Sequence, residues 1–201
     1  GSQLPWNDET YPRSFQRVLH AHFFIYDLLE AYKETGYEPY IEKANDIIQD
    51  WIKENPYNPN KMAWHDEATA RRLVTWVYFF HEARRVLPAS ELNALFAQMK
   101  NHAKLLASDS FYTEKHNHGM FQDDALIVFG HYFDKMDESV RYRELAEQRL
   151  AAYFDYIVSN DGVHLEHSPG YGQLVANTML KYTRFYESLT GTPFANEQAR
   201  H

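Results

Sequence analysis

The sequence contains no cysteine. Disulfides and thiolate-based zinc sites are therefore excluded, while the compartment stays open. No run of about 18 apolar residues is present, so no stretch has the length and hydrophobicity of a membrane span. No signal peptide is visible; Gly1-Ser2 has the character of a cloning scar, so the start of this sequence leaves both a leader and the location open. A basic stripe is also missing: 20 lysines and arginines stand against 28 aspartates and glutamates, a net charge of −8. That balance argues against nucleic acid as a partner and against long-range steering of an anionic substrate. Any anion site must be built locally. Strand alternation, hairpin turns and repeats of fixed period are absent too.

Aromatic residues are abundant: 15 Tyr, 13 Phe and 4 Trp make up 16% of the chain. Such rings stack on sugars, and they also fill helix-packed cores, which is the commoner use. At 201 residues and 44% apolar content the chain suits one domain, or a piece of a larger one, with a substantial core.

Residues 1–13 read as irregular and 14–201 as one helical domain. From Ser14 a helical period through Val18, His22, Ile25 and Leu29 stops at Gly36. A second helix carries Ile41, Ala44, Ile48 and Trp51, and the prolines of the loop 55–60 close it. The third opens at Trp64-His65-Asp66-Glu67 and shows Leu73, Trp76, Val77 and Phe80 on one face. Ser90 is the expected cap of the fourth, and the fifth starts near Asn117. Ser139 is the expected cap of the sixth, with Ala146, Leu150, Tyr153 and Ile157 in register. Ser168-Pro169 opens the seventh, since serine caps and proline suits the first helical position. Pro193 to His201 reads as the entry to an eighth. Short links between such helices predict an all-α fold of antiparallel helical hairpins.

In an up-and-down array, alternate helices point the same way. The starts of the third, fifth and seventh helices then share one end, bringing His65, Asn117 and His118, and His167 and Tyr171 to a common rim. Helix N-termini present free N–H groups and partial positive charge, so such a rim suits an anion. An asparagine amide can bind a carboxylate or a developing enolate without adding charge. A histidine beside it adds a donor, and a tyrosine near a helix start can exchange protons. This set suits β-elimination of a uronic acid. It lacks the paired carboxylic acids of a glycosidase: Glu166 is present, but Asp161 reads as a turn residue.

The stretches Trp64-His-Asp-Glu-Ala-Thr-Ala-Arg71, His116-Asn-His-Gly119 and Glu166-His-Ser-Pro-Gly-Tyr171 together resemble the heparinase II/III-like polysaccharide lyases. The resemblance runs from about Trp64 to about Leu189. It implies an N-terminal incomplete (α/α) toroid followed by a β-sandwich domain, which this chain does not contain. It also implies β-elimination on acidic polysaccharides such as the glycosaminoglycan heparan sulfate, or alginate. On this resemblance Asn117 neutralises the uronate carboxylate, His118 stands beside it, and Tyr171 is the catalytic acid and in some members the base. His65 and Arg71 are carried over as substrate contacts; His116, Glu166, His167 and Trp76 stand with them as further candidates. The expected partners are an acidic polysaccharide and the parent's C-terminal β-sandwich, and the expected location is periplasmic or secreted. No cofactor and no metal within this domain are expected, although His116-x-His118 and His164-x-x-His167 contain ligand-type residues.

Each candidate also has a plainer reading. Asn117 could simply cap its helix, and Tyr171 could be a packed first-turn aromatic. His65 could support the first turn of its helix, and Arg71 and Arg72 could pair with Asp66 and Glu67. His20 and His22, two apart on one helix, should not face a common ligand. Without catalysis, the chain would be a glycan-binding or structural helical domain.

Overall fold

The computed structural model describes residues 4–157 and 169–194, and the regular structure among the described residues is entirely helical. The chain divides into two compact units, Gly1–Tyr112 and Thr113–His201.

The first unit holds α1 (Arg13–Ala21), α2 (Ile25–Thr35), α3 (Pro39–Glu54), a 3-10 turn at Met62–Trp64, α4 (Asp66–Ala83) and α5 (Ala89–Ala107). The single helix expected from Ser14 to Gly36 is in fact two. His22 ends α1 in the left-handed region at φ 62, a conformation that costs a non-glycine residue about 1 kcal/mol. Side chains from α4 compensate by taking the carbonyls α1 leaves open. Arg72 donates to the His20 carbonyl at 2.8 Å, and Thr75 donates to that of Ala21 at 3.3 Å. The break shifts the buried stripe, so Leu19, His20 and Ala21 face inward while Val18 is 54% exposed.

Gly36, at φ 67, ends α2 by donating its N–H to the Tyr32 carbonyl, the left-handed stop that glycine adopts freely. Pro39 opens α3 at a position where its missing N–H is not needed. Contacts fix the helix directions. Arg17 meets Glu67 near the starts of α1 and α4, and Thr75 meets Ala21 further along both, so these two run parallel. Phe80 packs on Phe96, and Arg72 bonds to His102, so α4 and α5 run antiparallel. Ser90 does not cap α5; Pro88 holds that place and Ser90 lies within the first turn.

The second unit holds α6 (Asn117–Tyr132), α7 (Asp137–Ile157) and α8 (Pro169–Thr190). The first two approach closely at Gly130, where an added Cβ would lie 2.6 Å from the Ser139 carbonyl and 2.6 Å from Arg143 Cβ. Ser139 lies buried inside α7 rather than capping it, since the helix already begins at Asp137. The register Ala146, Leu150, Tyr153 and Ile157 is buried as the periodicity predicts. Tyr182 packs on Phe154, and the Tyr186 hydroxyl donates to Glu147 at 2.9 Å, so α8 runs antiparallel to α7. Phe194 closes this aromatic cluster against Phe154, Tyr182 and Tyr186. The expected eighth helix falls mostly on 195–201, outside the described residues.

Candidate functional site

The mouth of α6 is shaped by the residues before it. Lys115 takes a left-handed conformation at φ 56, and His116 returns to extended backbone. The His116 Nδ1 then accepts the N–H of His118 at 3.2 Å. Histidine therefore fills the capping position, and Asn117 becomes the first helical residue. Its side chain is exposed and hydrogen-bonds no described residue. The capping role open to Asn117 in the sequence is thus taken by its neighbour, and the amide stays available. His118 is half-buried, its ring stacked on Phe121 at 6.4 Å and edge-on to His116 at 4.4 Å. Below it, the Gln122 side chain accepts the Thr113 N–H at 2.9 Å and so anchors the preceding loop. No acidic residue of α6 itself occupies its first turn.

Since α7 runs antiparallel to both α6 and α8, these last two are parallel and begin at the same end of the unit. Tyr182 lies near enough to Asp124 to feel its charge. Tyr171 is the third residue of α8, and its side chain lies outside the description. Glu166 and His167, with His164, lie outside the described residues altogether.

Two other tyrosines on α8 hold their protons tightly. Burial first, then the charges of Asp124 and Asp123, pushes the Tyr182 hydroxyl far above its usual range. Burial and the bond to Glu147 push Tyr186 up to about 12. Both remain phenols at neutral pH.

In the first unit, His65 precedes α4 with its Nδ1 2.8 Å from Asp66 Oδ1, and the same carboxylate oxygen accepts the Glu67 N–H at 2.6 Å. The first-turn support is thus made by Asp66, and His65 itself makes no side-chain cap bond to α4. Arg71 lies 3.7 Å from Glu67 one turn earlier and 5.7 Å from the Phe23 ring centroid, so its ion pairing follows the plainer reading. Trp76, a candidate sugar contact in the sequence, is completely buried. Its ring packs on Trp51, His22 and His102 and has no face left for a sugar.

Arg72 departs furthest from expectation. It pairs with neither Asp66 nor Glu67 but is fully buried, its guanidinium 3.8 Å from the Trp51 ring centroid with Trp64 and Trp76 nearby. Its Nε donates to His102 Nε2 at 3.1 Å. The His20 and His22 rings face the same cluster, contrary to the helical argument, because the chain breaks at His22. Trp51 donates to His20 Nδ1 at 3.0 Å and Trp76 to His22 Nδ1 at 3.1 Å. Each imidazole thus accepts from a group that can only donate, which requires it to be neutral. Burial and the Arg72 charge act the same way: His20 is lowered to about 4, and His22 and His102 fall well below the usual range. No periodic signal in the sequence marks this cluster.

The sequence matches the family model described as heparinase II/III N-terminus over residues 2–192. A curated relative, heparin-sulfate lyase from Bacteroides thetaiotaomicron, is 24% identical over 163 residues, covering 78% of this chain and 23% of its own length. Among solved structures, heparinase III aligns at a TM-score of 0.80 and 19% identity, over 100% of this chain and 30% of the other. A mutant heparan sulfate lyase from Pedobacter heparinus aligns at 0.76 and 21% identity, over 94% and 31%. The chain therefore spans less than a third of the length of these relatives, and its fold is the one they share in that portion. On the strength of the match to nearly its whole length, the chain belongs to the heparinase II/III family, in the region of that family's N-terminal domain.

Proposed function

We propose that this chain forms the helical wall of a polysaccharide lyase site that cleaves a uronic-acid-containing glycan by β-elimination. The observation that carries the reading is the Asn117 amide, exposed at the mouth of α6 and released from capping by His116. It is a neutral donor placed where the helix dipole favours negative charge. In the proposed reaction Asn117 holds the uronate carboxylate as charge builds on it, with His118 as supporting donor. The C–H bond beside the carboxylate breaks and its proton passes to a base. A carbon–carbon double bond forms, the glycosidic bond breaks, and the departing oxygen is protonated. Tyr171 is assigned the protonation and, in the simplest scheme, the proton removal as well. The lyase names of the relatives support an acidic glycosaminoglycan as substrate class. A polymer of that kind is met outside the cytoplasm, which favours a periplasmic or secreted protein, and a β-sandwich domain would complete the site.

The test uses a protein that carries this chain together with its partner domain, offered heparan sulfate and, separately, alginate. The unsaturated uronate product absorbs in the ultraviolet. The reading expects product from the parent, and almost none from Asn117→Ala or Tyr171→Phe. Undiminished product from both variants would overturn the assignment. Glycan binding by the parent without product would favour the non-catalytic helical domain instead.

A further inference from the structure

The chemistry proposed above leaves unused a cavity of about 300 Å³ in the first unit. It opens between the irregular segment before α1, the first turns of α1 and the loop before the 3-10 turn. Trp6, Arg13, Gln16, His20, Asn60 and Lys61 are among its lining residues. That volume is at the small end of ligand sites, enough for a single sugar ring. Its walls are held in place: the Trp6 indole donates to Asp50 at 2.6 Å and stacks on His20 at 6.1 Å, while the Gln16 amide donates to the Tyr11 carbonyl at 2.7 Å.

The charge of the lining is the informative part. The chain as a whole carries −8, and the cavity lining brings together two cations, Arg13 and Lys61, and one carboxylate, Glu9. Glu9 bonds Lys61 at 2.9 Å. Arg13 is exposed and has no carboxylate partner among the described residues. It is also the first residue of α1, a helix with no acidic residue in its first turn and no side-chain cap. A cation at that place opposes the helix dipole, and a bound anion would satisfy both. Planar guanidinium and amide groups match the carboxylates, sulfates and hydroxyls of a charged sugar. Because α1 and α4 are parallel, the cavity lies at the end of the unit where α4 begins.

We infer that this cavity is a subsite for an anionic sugar residue, with its carboxylate or sulfate on Arg13 and its ring against Gln16, Asn60 and Lys61, over a floor formed by the buried Trp6. The inference rests on the lyase reading for the identity of the ligand and makes no use of Asn117 or Tyr171.

Calorimetric titration with a heparan sulfate hexasaccharide and with its unsulfated N-acetylheparosan counterpart tests it. Arg13→Ala is expected to weaken binding about tenfold, the loss of one charge-assisted contact. Arg13→Glu should weaken it further, and the salt dependence of Kd should flatten in both. Arg13→Lys should recover part of the affinity, and exposed Lys43→Ala, remote from the cavity lining, should bind as the parent does. Loss confined to the sulfated probe identifies sulfate as the anion, and loss with both identifies the carboxylate; either supports the subsite. Affinity within about twofold of the parent for both Arg13→Ala and Arg13→Glu would overturn it. Asn117→Ala, followed for turnover alongside, separates the two readings: it bears on the lyase chemistry and leaves the cavity untouched.

Discussion

The indole N–H of Trp51 donates to Nδ1 of His20 at 3.0 Å. Because an indole can only donate, His20 must keep that nitrogen unprotonated, and a second proton would set two N–H groups against each other. The same logic holds His22 under Trp76 and His102 under Arg72. These are neutral imidazoles packed around a buried cation.

Stability should therefore fall in mild acid. The folded pKa of His20 is about 4, against an ordinary value of 6.5, so between these values the unfolded chain binds more protons. The stabilisation is present above 6.5 and is lost as the pH falls toward 4, with His22 and His102 adding in the same direction. Denaturant midpoints measured across this range should decline. His20→Gln can still accept from Trp51 but cannot titrate, so it should reduce the slope. An unchanged slope would show that His20 does not take up the proton.

Arg72→Ala should destabilise the protein by about 3 kcal/mol or more, since it opens a cavity and leaves the His20 carbonyl and His102 Nε2 without their donor. Arg72→Lys should recover little, because an ammonium lacks the flat face that lies against Trp51 and the fork that reaches two acceptors. Equilibrium unfolding in urea measures both. Parent-like stability of Arg72→Lys would show that charge alone matters here.

Gly130→Ala should destabilise the second unit by about 1–3 kcal/mol, because the new methyl must push α6 away from the Ser139 carbonyl and Arg143. Gly36→Ala, with nothing within 4 Å of the added carbon, should lose about 1 kcal/mol for backbone reasons only. Thermal unfolding of the two variants separates crowding from conformation. A larger loss at Gly36 than at Gly130 would contradict the close approach.

On the proposed lyase reading, Asn117→Ala should lower kcat about a hundredfold to a thousandfold in a protein carrying the partner domain, the usual loss when one preorganised donor to a developing anion is removed. Its thermal midpoint should stay near that of the parent, since Asn117 neither caps α6 nor bonds a described residue. Trp76→Phe should do the reverse, leaving KM unchanged while lowering stability, because the ring lies in the core. A raised KM with normal stability for Trp76→Phe would restore it as a substrate contact.

The helical class, the helix start at Asn117 and the buried register along α7 were legible in the sequence, because periodicity, turn residues and proline report local backbone preference. The motif residues that resemble the heparinase II/III lyases were legible as well, and the family match agrees with them. Which neighbour caps α6 was not. Asparagine is a strong capping residue and histidine a weak one, yet the left-handed turn at Lys115 puts the His116 ring in reach of the amide instead.

The break at His22 and the burial of Arg72 were equally hidden. A sequence window sees two histidines on different faces of one helix, and an arginine beside acidic partners one turn away. Only tertiary packing supplies the tryptophan faces that accept a cation without a counter-charge, and the α4 side chains that finish α1. Sequence alone thus determined where helices form and which chemical groups are available at their ends. The tertiary structure decided which of those groups are spent on holding the chain together and which remain open, because that depends on partners more than fifty residues away.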